Sequence, residues 1–220
     1  FIKMYINEIP GASTFFIHKN FPELFNQNCE ICPHPFINNL EKWDTDLKNL
    51  ELFFDKKPKG LRTHSCVFSH MIGIDLNNKG YKWISQAQNL FSTNLYPFKH
   101  PWGIWELPIY YMDNMDFWMT KNWKNENHRP FDQKIIDKCL NNEGLYVFDF
   151  HPIHIALNTR NFNDYQKVKE KITSNKEDPF NLTYSGVGCR DFFERLCETL
   201  QSSNKKSLTC SNALNLFYKE

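Results

Sequence analysis

The sequence predicts an α/β fold built on a parallel sheet or barrel, and three observations predict it. About six strand-length apolar runs alternate with stretches of helical spacing. No internal repeat, low-complexity tract or interdomain linker breaks that alternation. The length of 220 residues is enough for one sizeable domain with a buried core, so residues 1–220 read as a single domain.

Taken in order, Phe1 to Glu8 has apolar residues at helical spacing and stops at Pro10-Gly11. Ser13 to His18 is a β-branched and aromatic run of strand length. Cys29 to Cys32 is a second short strand, halted by Pro33-His34-Pro35. Phe36 to Phe54 places Leu40, Trp43, Leu47, Leu50 and Phe54 on one helical face. After the charged turn Lys56 to Gly60, Leu61 to His64 is a brief strand, and Ser65 is the expected N-cap of a helix to about Asn77. Gly80 ends that helix and Tyr81 to Ser85 starts the next strand. Gly103 to Tyr111 reads as a strand, Asp132 to Leu140 as a helix, Leu145 to Phe150 as an apolar strand, and Arg190 to Leu200 as a terminal helix. Met112 to Arg129 and Thr159 to Asn181 are polar and read as long loops, where a binding surface is built.

Composition narrows the function. Lys+Arg of 26 against Asp+Glu of 25 leaves no general attraction for nucleic acid or anionic membrane. The 20 Phe, 9 Tyr and 6 Trp are a rich aromatic supply, suited to core packing and to stacking on sugar rings. Seven cysteines, an odd number in a chain too large to need stapling, read as reduced thiols in a cytoplasmic protein. No apolar run approaches the ~20 residues of a membrane span. The opening Phe1-Ile-Lys-Met-Tyr-Ile resembles no signal peptide and reads as the start of a trimmed chain.

In parallel α/β folds chemistry collects at the C-terminal strand ends, which here carry His18, His34, His64, Tyr111 to Asp113, and His151. Adjacent strand ends bring His34 and His64 together, and two neutral imidazoles plus a carboxylate make an open site for zinc or a similar divalent ion. His70, six residues after His64, faces elsewhere on a helix. His151 is placed to protonate a leaving group. His154, three residues on along extended chain, points to the opposite side, so one of the two can face the site. Arg62 shares a strand face with His64 and suits a carboxylate or a substrate oxygen. Trp105, Glu106 and Tyr111, with Asp113 nearby, mix carboxylates and aromatic rings in a way that fits sugar binding. Cys29-x-x-Cys32 lies within a strand and lacks a second such pair, which favours structural thiols over zinc or redox chemistry.

These motifs resemble a known family. Ala12-Ser13-Thr14-Phe15-Phe16-Ile17 and Glu30-Ile31-Cys32-Pro33-His34-Pro35-Phe36 are similar to the second strand and the metal-binding motif of polysaccharide deacetylase (NodB-homology) domains. Arg62-Thr63-His64-Ser65, Trp105-Glu106-Leu107-Pro108 with Asp113, and Phe150 to Thr159 look like the WbmS-like branch, linked to O-antigen and surface polysaccharide synthesis, and the likeness runs through Gly188 to Phe193. The resemblance implies a distorted (β/α)7-type barrel whose first strand is missing here, and a divalent metal, zinc by preference. It implies His34 and His64 as ligands, His151 as acid, Arg62 and Asp113 as orienting residues, and N-acetyl removal from a carbohydrate. Two departures stand out. The acidic pair of the family's first strand has no counterpart, and the usual second ligand falls at Asn38, which moves that role to His64. A catalytically silent carbohydrate-binding domain is the alternative reading.

Overall fold

The computed structural model describes residues 6–24, 28–36, 42–118 and 128–218. Along the chain run β1 (Ser13–Ile17), β2 (Cys29–Pro33), α1 (Trp43–Glu51), β3 (Gly60–Leu61), α2 (His70–Asn78), β4 (Trp83–Ile84), β5 (Phe98–Lys99), β6 (Trp105–Glu106) and β7 (Ile109–Met112). Then follow α3 (Asp113–Trp118), α4 (Gln133–Asn141), β8 (Val147–Asp149), α5 (Pro152–Leu157), α6 (Phe162–Ser174), α7 (Cys189–Ser202) and α8 (Cys210–Phe217). The expected α/β class is what the chain adopts. Its residues form two compact units, one of Gly11–Asn89, Leu95–Ile109 and Lys206–Glu220, the other of Phe1–Pro10, Leu90–Asn94 and Tyr110–Lys205.

In the first unit, β1 and β2 pair in parallel from Ser13 opposite Cys29 to Ile17 opposite Pro33. β3, β4 and β6 are parallel neighbours, with β5 antiparallel on the edge of β6. The ladder continues past the named strands: Arg62 N donates to the Pro33 carbonyl at 3.2 Å and His64 N to the Pro35 carbonyl at 2.9 Å. Prolines at 33 and 35 offer carbonyls without competing N–H donors, so the pairing runs one way and stops soon after. Trp43, Leu47, Leu61, Ile72, Leu76, Tyr81, Ile84 and Ile104 form the core between α1, α2 and these strands. Each such fully buried side chain contributes about 1.5–3 kcal/mol. Gly60 is required because a Cβ there would fall 2.0 Å from the Trp83 ring. The C-terminal α8 is tied back through Glu30, whose carboxylate accepts from Thr14 Oγ1 at 2.9 Å and from the Ser211 N–H at 3.1 Å.

The second unit is built on β7 and β8, which pair as a two-stranded sheet. Tyr110 and Tyr111 of β7 are buried, as are Phe192, Phe193, Ile136 and Leu157 in the same unit.

Several local expectations change. The helix expected from Ser65 starts at His70 with Ser69 as its cap, accepting from Ile72 N at 3.3 Å. Ser65 and Cys66 instead adopt positive φ of 57° and 52°, which turns the chain straight after His64. The helix expected from Phe36 to Phe54 is described from Trp43 to Glu51, and residues 37–41 lie outside the described residues. Gly103 to Tyr111 is two strands, because Pro108 interrupts the ladder. Both stretches read as loops contain helix. In α6, Phe162, Tyr165, Val168 and Ile172 supply a sparse apolar face and Asn161 caps by accepting from Asp164 N at 2.9 Å.

Candidate active site

β7 ends at Met112 and β8 at Asp149, so pairing of these strands delivers Asp113 and His151 side by side. Asp113 is fully buried and saturated by its neighbours. Its Oδ2 accepts the backbone N–H of His151 at 2.7 Å and faces Cys189 Sγ at 3.6 Å. Its Oδ1 lies 2.7 Å from His151 Nδ1 and accepts Asn114 N at 2.6 Å. Burial by itself pushes this carboxyl up, but the His151 and His154 imidazoles and the hydrogen bonds from His151 hold it below the usual carboxylate range. An ionised carboxylate only accepts, so Nδ1 of His151 carries the proton that faces Asp113. The His151 side chain is 42% exposed, whereas Asp113 is wholly enclosed. Burial raises the Cys189 thiol far above its ordinary value, so the group facing Asp113 is S–H.

His154 corrects the sequence reading. Pro152 does not extend the strand; it occupies the first turn of α5, where a missing N–H costs nothing, and His151 is the N-cap. Residues three apart at a helix start share a side, and the His151 and His154 rings stand 5.4 Å apart, edge to face. Both therefore lie beside Asp113. Ligand atoms of Asp113, His151 and His154 all fall within 4.8 Å of one another, a group that could hold a metal ion. Burial pushes the His154 imidazole down to about 4, so it is neutral near pH 7.

That shift predicts acid sensitivity. Between pH 6.5 and 4 the unfolded chain protonates at this histidine while the folded protein does not, so stability falls as pH drops through that window. The loss amounts to about 3 kcal/mol at full protonation. In urea titrations of the metal-free protein, His154→Phe is expected to flatten this part of the stability profile; an unchanged slope would contradict a buried neutral imidazole.

The α5 helix is fixed from behind. Asn158, left-handed at φ 49°, ends it and donates from Nδ2 to the carbonyls of Tyr184 (3.1 Å) and Gly186 (2.7 Å) and to Asp191 (2.8 Å). Arg190 Nε donates to the Ile155 carbonyl at 3.0 Å and its Nη2 to the Ala156 carbonyl. A second buried pair lies nearby in sequence: Asp116 accepts from Phe131 N at 2.9 Å and meets His128 Nε2 at 2.7 Å. Burial pushes Asp116 up, while its hydrogen bond holds His128 above its ordinary value. Sequence reasoning missed His154, Cys189, Asp116 and His128; the signal available for His154 was Pro152 read as a helix start.

In the other unit the ladder sets His34 beside His64, with rings 5.4 Å apart. His34 Nδ1 donates to the Arg62 carbonyl at 2.9 Å. Phe36 stacks on His64 at 4.2 Å and meets His18 at 5.7 Å. Among the described residues, neither His34 nor His64 belongs to a three-membered His, Cys, Asp or Glu group. Asn38, where the family's usual second ligand would fall, lies outside the described residues.

The remaining candidates sit in the interior. Arg62 is buried, donates through Nε to the Ser85 carbonyl at 2.7 Å and through Nη2 to Ser85 Oγ at 2.8 Å, and covers the Phe16 ring. Glu106, 1% exposed, accepts the N–H groups of Gln86 (2.6 Å) and Ala87 (2.9 Å), and Tyr111, 0% exposed, donates to Asp116 at 3.2 Å. Glu106 and Tyr111, expected to contact substrate, thus hold protein partners with their enclosed polar atoms. Trp105 keeps a half-buried ring against Tyr218, 3.9 Å between centroids. Cys29 and Cys32 are both free thiols, Cys32 fully buried, as expected for structural positions.

Among the described residues no helix is long and apolar enough to cross a membrane. Comparison with curated proteins returns no match. A crystal structure from Bordetella bronchiseptica, described as a proposed polysaccharide deacetylase (WbmS) involved in O-antigen biosynthesis, superposes with a TM-score of 0.71. The match has 19% identity over 90% of this chain and 84% of that one, a likeness of fold. The sequence profile of the WbmS-like polysaccharide deacetylases matches residues 3–169. That span carries the strand ends described above, and the chain belongs to the WbmS-like polysaccharide deacetylase family.

Proposed function

We propose that this protein removes N-acetyl groups from a saccharide of a bacterial surface polysaccharide, or its precursor, of the O-antigen type. The observation that carries the reading is the Asp113–His151 pair, 2.7 Å apart with the carboxylate buried. Hydrolysis of an acetamide breaks a C–N bond, and the departing nitrogen needs a proton to leave as an amine. His151, with Nδ1–H held on Asp113, presents Nε2 to deliver that proton. Asp113 fixes the tautomer and the ring plane and stabilises the imidazolium form. Cys189 and the α5 anchor at Asn158 keep the carboxylate and ring from turning.

The donor set suited to a divalent cation, zinc by ligand type, is proposed at His34 and His64. His34 Nδ1–H is held on the Arg62 carbonyl, which is how a ligating imidazole is commonly oriented. A bound cation there would supply Lewis acidity and lower the pKa of a water. Arg62 is proposed as a positioning residue for that strand end, and Trp105 as the aromatic face for a sugar ring.

The test is acetate release from N-acetylated oligosaccharides, with metal content measured on the same preparation. Expected are acetate release that chelation abolishes and zinc restores, and loss of bound cation in His34→Ala or His64→Ala. Glycan binding without acetate release under any metal would replace this reading with that of a silent carbohydrate-binding domain.

A further inference from the structure

His154 adds a third donor to a pair that proton transfer needs undisturbed. Asp113, His151 and His154 offer one carboxylate oxygen and two imidazole nitrogens within 4.8 Å of one another, a donor set that takes zinc and similar divalent ions. His154 is enclosed, near Thr159 Oγ1 at 3.2 Å through Nδ1 and edge-on to Phe117 and Tyr165. It is therefore held in place whether or not a cation is present.

Coordination and proton transfer exclude each other here. A cation on His151 Nδ1 requires that nitrogen's lone pair, so its proton must pass to solvent or be carried on Nε2. The hydrogen bond to Asp113, 2.7 Å long, is then lost. A cation on Nε2 occupies the lone pair that would hold the transferable proton. By either nitrogen, a coordinated His151 stops serving as the acid: bound through Nδ1 it could give its Nε2 proton only by becoming an imidazolate, and bound through Nε2 it has no lone pair there to hold a transferable proton.

We propose that Asp113, His151 and His154 form an inhibitory site for a divalent cation, whose occupancy withdraws His151 from proton transfer. The inhibition rests on the reading of Asp113 and His151 as the proton-transfer pair. His154 serves only the cation in this scheme, so removing it separates the two uses.

The experiment uses zinc alone as probe, on the wild-type chain, His154→Phe and His154→Gln, each checked for folding by thermal denaturation. Equilibrium dialysis with metal analysis measures the sites, imidazole 15N NMR reports the Nδ1–H of His151, and acetate release is followed as zinc is raised. Wild type is expected to bind one equivalent more than the variants, which lose at least about tenfold in affinity for it. Zinc beyond the equivalent that restores acetate release is expected to erase or shift the His151 Nδ1–H signal and to suppress acetate release in wild type, and to do neither in the variants. Equal zinc binding by all three proteins, or an unmoved His151 signal, overturns the proposal. So does loss of acetate release in the variants together with the cation, since that cation would then serve the reaction. Should wild type release no acetate at all, the hydrolase reading fails, while dialysis and NMR still decide whether zinc displaces the hydrogen bond.

Discussion

His151→Ala is expected to lower kcat for acetamide hydrolysis by about 10²–10⁴-fold with a much smaller change in KM, the range general acid catalysis commonly supplies. The ring is 42% exposed, so its removal leaves no buried void and the variant should fold as well as wild type. Asp113→Asn tests the same pair from the other side. An amide in that position can still accept at its oxygen but no longer stabilises an imidazolium, so kcat should fall to a similar degree. The double variant should lose little more than either single one, because the residues act as a unit. Additive losses, or a His151→Ala protein with wild-type kcat, would remove His151 from the reaction.

The largest stability effect is expected at Phe192. Its ring is fully buried and lies 4.8 Å from Tyr111, 6.1 Å from Phe131 and 6.3 Å from Phe150, with the Arg195 guanidinium over one face at 5.7 Å. Phe192→Ala removes the filling between α7 and the paired strands β7 and β8, and should cost about 3–5 kcal/mol in urea unfolding. Tyr111 and Phe150 directly precede the segments that carry Asp113 and His151, so acetate release should fall as well. Phe192→Leu, which refills most of the space, should recover most of both. A cost under about 1 kcal/mol would mean that the second unit is not organised around this ring.

How much of this could be read beforehand follows from the kind of signal each residue left. His34, His64 and His151 were identifiable because each ends a run of strand length, and at His34 and His151 a neighbouring proline stops the ladder where the side chain stands. The burial of Glu106 and Tyr111 was not identifiable. Strands of a parallel sheet are covered on both faces, so alternation along them does not tell which side chains reach solvent. The helix after His151 was hidden by the double meaning of proline, a strand breaker that also suits a helix's first turn.

By itself, then, the sequence determined the α/β class, the parallel order of short strands, the histidines at their ends and the family, since hydrophobic period and breaker residues are local properties. Tertiary structure alone decided that Asp113 meets His151, that His154 and Cys189 join them, and that Glu106 and Tyr111 turn inward. Those facts depend on pairing between segments 38 and 76 positions apart, as in Asp113 with His151 and with Cys189. No local pattern encodes such contacts; packing of the whole unit selects them.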